Sequence, residues 1–175
     1  MKNKKNKIQL GLFLFLVGMV HPVYANESKY TTLETKQCRM LEDSANDPNA
    51  EGDYFSMLCP GRESYSVTVE GGDLRSTLVL KRGNTEIYNM WSDLFKQPVG
   101  QFPNVSGKVL EWRYDDKKNL LGLIVRVNGS DADTQKTISR LFVIRHTQGK
   151  FCLLSSEVTN EKAQKMLDSQ KKCLK

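Results

Sequence analysis

Apolar and polar residues alternate with a period of two over much of this chain, which is the pattern of a β-strand with one buried face. In residues 108–114, for example, Leu110 and Trp112 share one face, whereas Glu111 and Arg113 share the other. Runs of this kind predict strands at Tyr54–Cys59, Tyr65–Glu70, Arg75–Lys81, Lys108–Tyr114, Leu120–Val127, Ile138–His146 and Phe151–Val158.

Turn-forming residues separate these runs, as at Gly71-Gly72-Asp73 and Asn128-Gly129. Short strands joined by tight turns favour an antiparallel meander, so we predict an all-β fold that forms a sandwich or an incomplete barrel. The stretch 83–107 is interrupted by Pro98 and Pro103, and we expect it to be a long loop over one end of the sheet.

The last segment has a helical pattern instead. Ala163, Met166 and Leu167 follow the spacing of one helix face, and Asn160 is the predicted N-cap. We therefore expect one C-terminal helix after the last strand.

The first 25 residues have the composition of a secretion signal. Lysines precede an unbroken apolar run, Leu10–Val20, and small residues at Val23 and Ala25 suit a signal peptidase. We predict that residues 1–25 are a signal peptide and that residues 26–175 form a single disulfide-bonded β-rich domain with no further membrane span. An uncleaved leader that stays as an anchor is the alternative.

Export places the cysteines in the periplasm or beyond, where two disulfides are expected rather than a metal site or a cofactor. A strand of roughly 20 Å that starts at Cys152, followed by a helix that returns roughly 20 Å, brings Cys173 back beside Cys152. This geometry favours the pair Cys152–Cys173 and leaves Cys38 to pair with Cys59.

Removal of the leader also changes the charge. Four of the 26 basic residues and none of the 20 acidic residues lie in the leader, so the remaining chain has 22 bases, 20 acids and little net charge. This removes the basic excess that would indicate nucleic-acid binding. Arginines on neighbouring predicted strands would form an anion-binding stripe if they shared a face, and a solvated face is the alternative; they are Arg113, Arg126, Arg140 and Arg145.

The sequence has no catalytic signature. His146 is the only histidine after the leader and is expected to be solvated at a strand end, so a Ser or Cys nucleophile lacks a base. Residues 47–53 follow the order of a calcium loop, but Leu58 stands where such a loop needs a glutamate. A hydrolase that uses carboxylates, such as Asp115 or Asp131 in predicted turns, is the alternative to a role without catalysis.

Three short motifs stand out along the chain: Cys59-Pro60-Gly61, Gly72-Asp73-Leu74-Arg75 and Leu110-Glu111-Trp112-Arg113. Together they resemble a group of short exported proteobacterial proteins of unknown function. The resemblance implies an exported bacterial domain. It also implies that the charged residues of these motifs form one structural cluster: Asp73, Arg75, Glu111 and Arg113.

An exported domain of this kind is expected to act by binding a protein partner, as an inhibitor or accessory subunit of an envelope or foreign enzyme. Trp91, Phe95 and Phe102 lie in the irregular stretch and form the predicted binding patch. A structural component of the envelope is a further alternative.

Overall fold

The structure, a computed structural model, describes residues 26–47, 49–50, 52–97 and 99–174. Two antiparallel sheets face each other as a sandwich, and a helix packs on the outside of one of them. The predicted signal peptide, residues 1–25, lies outside the described residues. No helix in the described part of the chain is long and apolar enough to cross a membrane.

The described strands and α-helices follow one another in chain order. They are β1 (Glu27–Thr32), β2 (Arg39–Asp43), β3 (Tyr54–Cys59), β4 (Tyr65–Gly72), β5 (Arg75–Arg82), β6 (Thr85–Asn89), α1 (Trp91–Leu94), β7 (Gln101–Val105), β8 (Val109–Tyr114), β9 (Leu120–Ser130), β10 (Thr137–Thr147), β11 (Lys150–Glu157) and α2 (Asn160–Asp168).

Sheet A contains β1, β8, β9, β10 and β11 in that order, and β7 pairs with the second half of β9. Sheet B is a plain meander of β2, β3, β4, β5 and β6. Neighbouring strands are antiparallel in both sheets. The predicted all-β sandwich with a C-terminal helix is therefore confirmed.

The structure adds four strands that the alternation did not predict, β1, β2, β6 and β7. The first three are edge strands, in which most side chains stay partly or fully exposed. The prediction of a long loop at residues 83–107 is wrong, because β6, α1 and β7 occupy much of this stretch. Edge strands are stabilised by pairing with a neighbour and need little apolar alternation of their own.

The main core fills the space between the two sheets. Leu78 and Leu80 of sheet B meet Trp112, Leu123 and Phe142 of sheet A, and all five side chains are fully buried. Each such side chain contributes roughly 1.5–3 kcal/mol when it leaves water. The inward positions are the apolar positions of each alternating run, as the pattern predicts.

A second core lies on the outer face of sheet A, where α2 packs. Val143 and Leu154 of the sheet contact Ala163 and Leu167 of the helix, and all four are buried. Gly122 is required by the neighbouring strand, because a Cβ atom there would lie 2.1 Å from the carbonyl oxygen of Ile144; it would also lie 2.8 Å from the Cδ2 atom of Leu167. Sheet A is thus covered on both faces.

Two arginines of sheet A hold the C-terminal end of α2. Arg145 donates to the carbonyl oxygens of Leu167 and Ser169 at 3.0 and 2.7 Å. Arg113 donates to both carboxylate oxygens of Asp168 at 3.0 and 2.7 Å. Both cations therefore lie at the negative end of the helix dipole, where positive charge is stabilising.

The start of α2 differs slightly from the prediction. The N-cap is Thr159, whose hydroxyl oxygen accepts from the N–H of Lys162 at 3.3 Å, and Asn160 is the first helical residue. The expected cap is one residue too late, since Thr and Asn both suit this position and the pattern alone does not separate them.

Both predicted disulfides form. Cys38 pairs with Cys59, and Cys152 pairs with Cys173. The first joins the start of β2 to the end of β3, and the second fixes the segment after α2 against β11, where the N–H of Leu174 also donates to the carbonyl of Leu153 at 2.9 Å.

Replacing both cysteines of either disulfide by serine should lower the free energy of unfolding by roughly 3 kcal/mol, because each bridge closes a loop of similar length in the unfolded chain. Both pairs have a sequence separation of 21. Denaturant unfolding of the two double variants measures the effect. If only one of the two double variants lost stability, the prediction that both disulfides contribute equally would be contradicted.

Asp168→Asn should lower the free energy of unfolding by about 1–3 kcal/mol at neutral pH, because it leaves Arg113 with a weaker partner. Glu161→Gln breaks the exposed Glu161–Lys165 pair of the same helix and should cost about 0.5 kcal/mol or less. Equal losses in the two variants would show that the Arg113 contact does not anchor α2.

The same contact predicts a pH dependence. Burial raises the pKa of Asp168, but the hydrogen bonds from Arg113 and Asn26, together with the charges of Arg113 and Arg145, outweigh it and hold the pKa below its usual value. A depressed pKa contributes stability that is present above about pH 4 and is lost as the pH falls through the folded-state pKa. Acid titration of unfolding should therefore show a smaller loss below about pH 4 in Asp168→Asn than in the unaltered protein.

Candidate functional site

A groove crosses the outer face of sheet B, on the side of the sandwich opposite α2. Its volume is about 260 Å³, and Tyr54 and Trp91 form its two aromatic walls. Each of these side chains is 42% exposed although both are large and aromatic. An exposed aromatic pair on either side of a groove is a feature of binding surfaces rather than of a core.

Trp91 is held in place by the turn that leads from β6 into α1. The backbone N–H of Trp91 donates to the side-chain oxygen of Asn89 at 3.0 Å, and the backbone N–H of Met90 donates to the carbonyl oxygen of Leu78 at 3.0 Å. Met90 and Leu94 are buried in the main core. Because these neighbours point inward, the indole of Trp91 is left on the outside.

Buried Asp93 ties this turn together through two hydrogen bonds, one of them from the exposed Lys96. Asp93 accepts from the hydroxyl of Tyr88 at 2.7 Å and from the ammonium of Lys96 at 2.8 Å. Burial and the nearby negative charge of Asp93 raise the pKa of Tyr88, so its hydroxyl stays a donor. Trp91 therefore projects from a fixed segment.

The floor of the groove contains two consecutive glycines. A Cβ atom on Gly71 would lie 2.4 Å from the ring of Phe55, and one on Gly72 would lie 2.1 Å from the carbonyl oxygen of Asp53. Only glycine fits at these two positions without a shift of the chain. Gly71 pairs with Phe55 and faces the main core. Gly72 pairs with Tyr54, so the groove floor beside Tyr54 carries no side chain there.

Polar groups line the rest of the groove. Glu42, Ser56, Glu70 and Thr77 form one cross-strand row on the outer face of sheet B, and the last two line the groove. The hydroxyl of Thr77 is buried and has no hydrogen-bond partner among the described residues. The floor therefore contains a carboxylate and an unused hydroxyl.

The surroundings of Tyr54 are acidic. Burial raises the pKa of Tyr54, and the negative charges of Glu70 and Glu42 raise it further. The ammonium of Lys81 is the described ion-pair partner of Glu70, at a long 3.8 Å. Residues 41–73 as a whole carry eight acidic side chains and one basic side chain.

The structure divides the predicted aromatic patch. Trp91 and Phe95 lie edge to face with 5.7 Å between ring centres. Phe102 lies instead on β7, below the guanidinium of Arg75 at 4.9 Å from the ring centre. Phe102 thus contacts a different group from Trp91 and Phe95, and Tyr54 lines the same groove as Trp91. The sequence signal for Tyr54 is a large aromatic residue on the polar face of β3, in phase with Ser56.

The predicted charged cluster is also divided. Asp73 and Arg75 pair with each other at the β4–β5 turn of sheet B. Glu111 and Arg113 lie on sheet A, where Glu111 accepts from the side-chain amide of Gln164 at 2.8 Å. The four residues therefore form two groups in different sheets, since motif spacing does not reveal which sheet a strand joins.

The arginines of sheet A do not form a common stripe. Arg113 and Arg145 bind the end of α2, and Arg126 donates to the hydroxyl of Ser139 at 2.8 Å. Arg140 lies on the other face of β10, because its cross-strand partner Val127 is a core residue. Three of these guanidinium groups thus already bind groups of the protein, and the fourth, Arg140, lies on the opposite face of the sheet. An anion site would need several of them free on one face.

His146 is half-buried rather than solvated. Its Nδ1 atom lies 3.1 Å from the carbonyl oxygen of Leu120, and its Nε2 atom lies 3.2 Å from the hydroxyl of Tyr65. A carbonyl only accepts, so Nδ1 carries a proton and donates to Leu120. This histidine joins the two sheets.

Comparison with protein-family models, with curated proteins and with solved structures found no match to this chain. The interpretation of the groove rests on its own geometry.

The two tryptophans should behave differently when each is the only one present. Trp91 is 42% exposed, whereas Trp112 is fully buried and donates to the hydroxyl of Thr31 at 2.9 Å. In Trp112→Phe, iodide should quench the fluorescence of the remaining Trp91. In Trp91→Phe, the fluorescence of the remaining Trp112 should be protected from iodide. Equal quenching of the two variants would contradict an open groove wall at Trp91.

Proposed function

We propose that this chain is an exported protein that binds a protein partner through the Tyr54–Trp91 groove. The observation that carries this proposal is the exposure of two large aromatic side chains, Tyr54 and Trp91, that line one groove beside Gly72. Tyrosine and tryptophan dominate the binding energy of many protein interfaces, because they bury a large area at a small entropic cost.

The proposed setting is the periplasm or the outside of the cell. The predicted leader and the two disulfides support this setting, since disulfides persist in oxidising compartments. A disulfide-bonded domain with a rigid binding face is suited to act as an inhibitor or accessory subunit of an envelope or foreign enzyme. The resemblance to exported proteobacterial proteins points the same way.

Binding is favoured over carboxylate-dependent hydrolysis by the roles of the turn aspartates. Bonds from Asn119 lower the pKa of Asp115, and bonds from the backbone and side chain of Thr134 lower the pKa of Asp131. A general acid needs a raised pKa. Both carboxylates instead close their own turns.

Photo-crosslinking tests the proposal in cells that produce the full chain. A benzophenone amino acid at position 91 should give a crosslink to one partner protein. The same group at position 30 is the matched control, because Tyr30 is 53% exposed but lies on β1 at the edge of sheet A. Tyr54→Ala, with the probe still at position 91, should reduce the crosslink.

Crosslinks of equal yield from both positions, or from position 30 alone, would contradict the assignment of the groove. Crosslinks at many surface positions to one large assembly would instead favour the structural role in the envelope.

A further inference from the structure

The charges beside the groove identify the chemical group that the partner presents. Glu70 lines the groove, and Glu42 lies in the same cross-strand row. Asp53 immediately precedes Tyr54, whereas Asp73, which follows Gly72, is already paired with Arg75. The aromatic walls are therefore set in an acidic part of a chain whose overall charge is positive.

We infer that the partner inserts a basic side chain, arginine by preference, between Tyr54 and Trp91 with Glu70 as its counter-ion. This inference rests on the proposed function and adds the chemistry of recognition to it. A cation over an aromatic face is attracted by the negative face of the ring, and tryptophan is the best such platform. Arginine is preferred because its planar guanidinium also stacks on the rings and binds a carboxylate with two bonds.

The dimensions of the groove suit a single side chain. Its volume of about 260 Å³ lies just below the range, from about 300 Å³, of pockets that enclose a small-molecule ligand. The groove is open along its length, so the rest of the partner would remain outside on the face of sheet B.

The existing partner of Glu70 leaves room for a second cation. The ammonium of Lys81 lies 3.8 Å from the carboxylate, close to the limit for an ion pair, and the Lys81 side chain is 34% exposed. A pair of this length and exposure contributes little to stability. A guanidinium at hydrogen-bond distance would therefore compete well for the same carboxylate.

Other groups fit the groove less well. An acidic side chain would face the charges of Glu70 and Glu42, and like charges repel at this range. An apolar side chain would cover Glu70, which is 24% exposed, without giving it a hydrogen bond. A basic side chain satisfies both the rings and the carboxylate.

The inference is tested with the full mature chain and two short peptides, acetyl-Ala-Arg-Ala-amide and its citrulline counterpart. Citrulline keeps the shape of arginine and removes the charge. The arginine peptide should shift the NMR signal of the Trp91 indole N–H and leave that of buried Trp112 unchanged. The citrulline peptide should bind about tenfold more weakly, the effect of losing one charge-assisted hydrogen bond.

Variants on both sides of the ion pair give independent readouts. Glu70→Gln should weaken binding of the arginine peptide about tenfold for the same reason. Lys81→Met should strengthen it, because the competing ammonium is removed. Glu161→Gln, on α2 across the sandwich, is the control and should leave binding unchanged.

Equal binding of the arginine and citrulline peptides would overturn the inference, as would full affinity in Glu70→Gln together with no gain in Lys81→Met. So would the absence of any shift at Trp91 with the arginine peptide. If crosslinking from position 91 still captures a partner in that case, the proposed function stands and the basic ligand alone is wrong. If crosslinking fails as well, both are wrong.

Discussion

The structure depends on the fact that sheet A is apolar on both faces. Phe142 and Ile144 of β10 point towards sheet B, whereas Leu141 and Val143 of the same strand point outward. Apolar surface on both sides must be buried on both sides, so sheet A needs a second cover in addition to sheet B. Helix α2 supplies it by packing Ala163 and Leu167 on the outer face.

Sheet B has the opposite character. Its inner face completes the main core, but its outer face carries small and polar side chains such as Ser56 and Thr77. This face needs no covering helix, so the two aromatic walls, Tyr54 and Trp91, stay accessible. The groove thus lies on the sheet face that, in the described part of the chain, neither sheet A nor α2 covers.

The two sheets also differ in the charged side chains on their outer faces. Arg113 and Arg145 are committed to the end of α2, where they bind Asp168 and backbone carbonyls. Glu42 and Glu70 lie in one row on the outer face of sheet B, where Lys81 is the described ion-pair partner of Glu70. Total composition does not reveal this uneven distribution of charge between the two sheets.

The sequence by itself determined the central strands, the C-terminal helix and the pairing of Cys152 with Cys173, because period, rise per residue and chain direction are local properties. It did not reveal the edge strands, the division of Asp73 and Glu111 between sheets, or the approach of Tyr54 to Trp91. Only the tertiary structure decided these, since sheet membership depends on pairing between strands far apart in the chain.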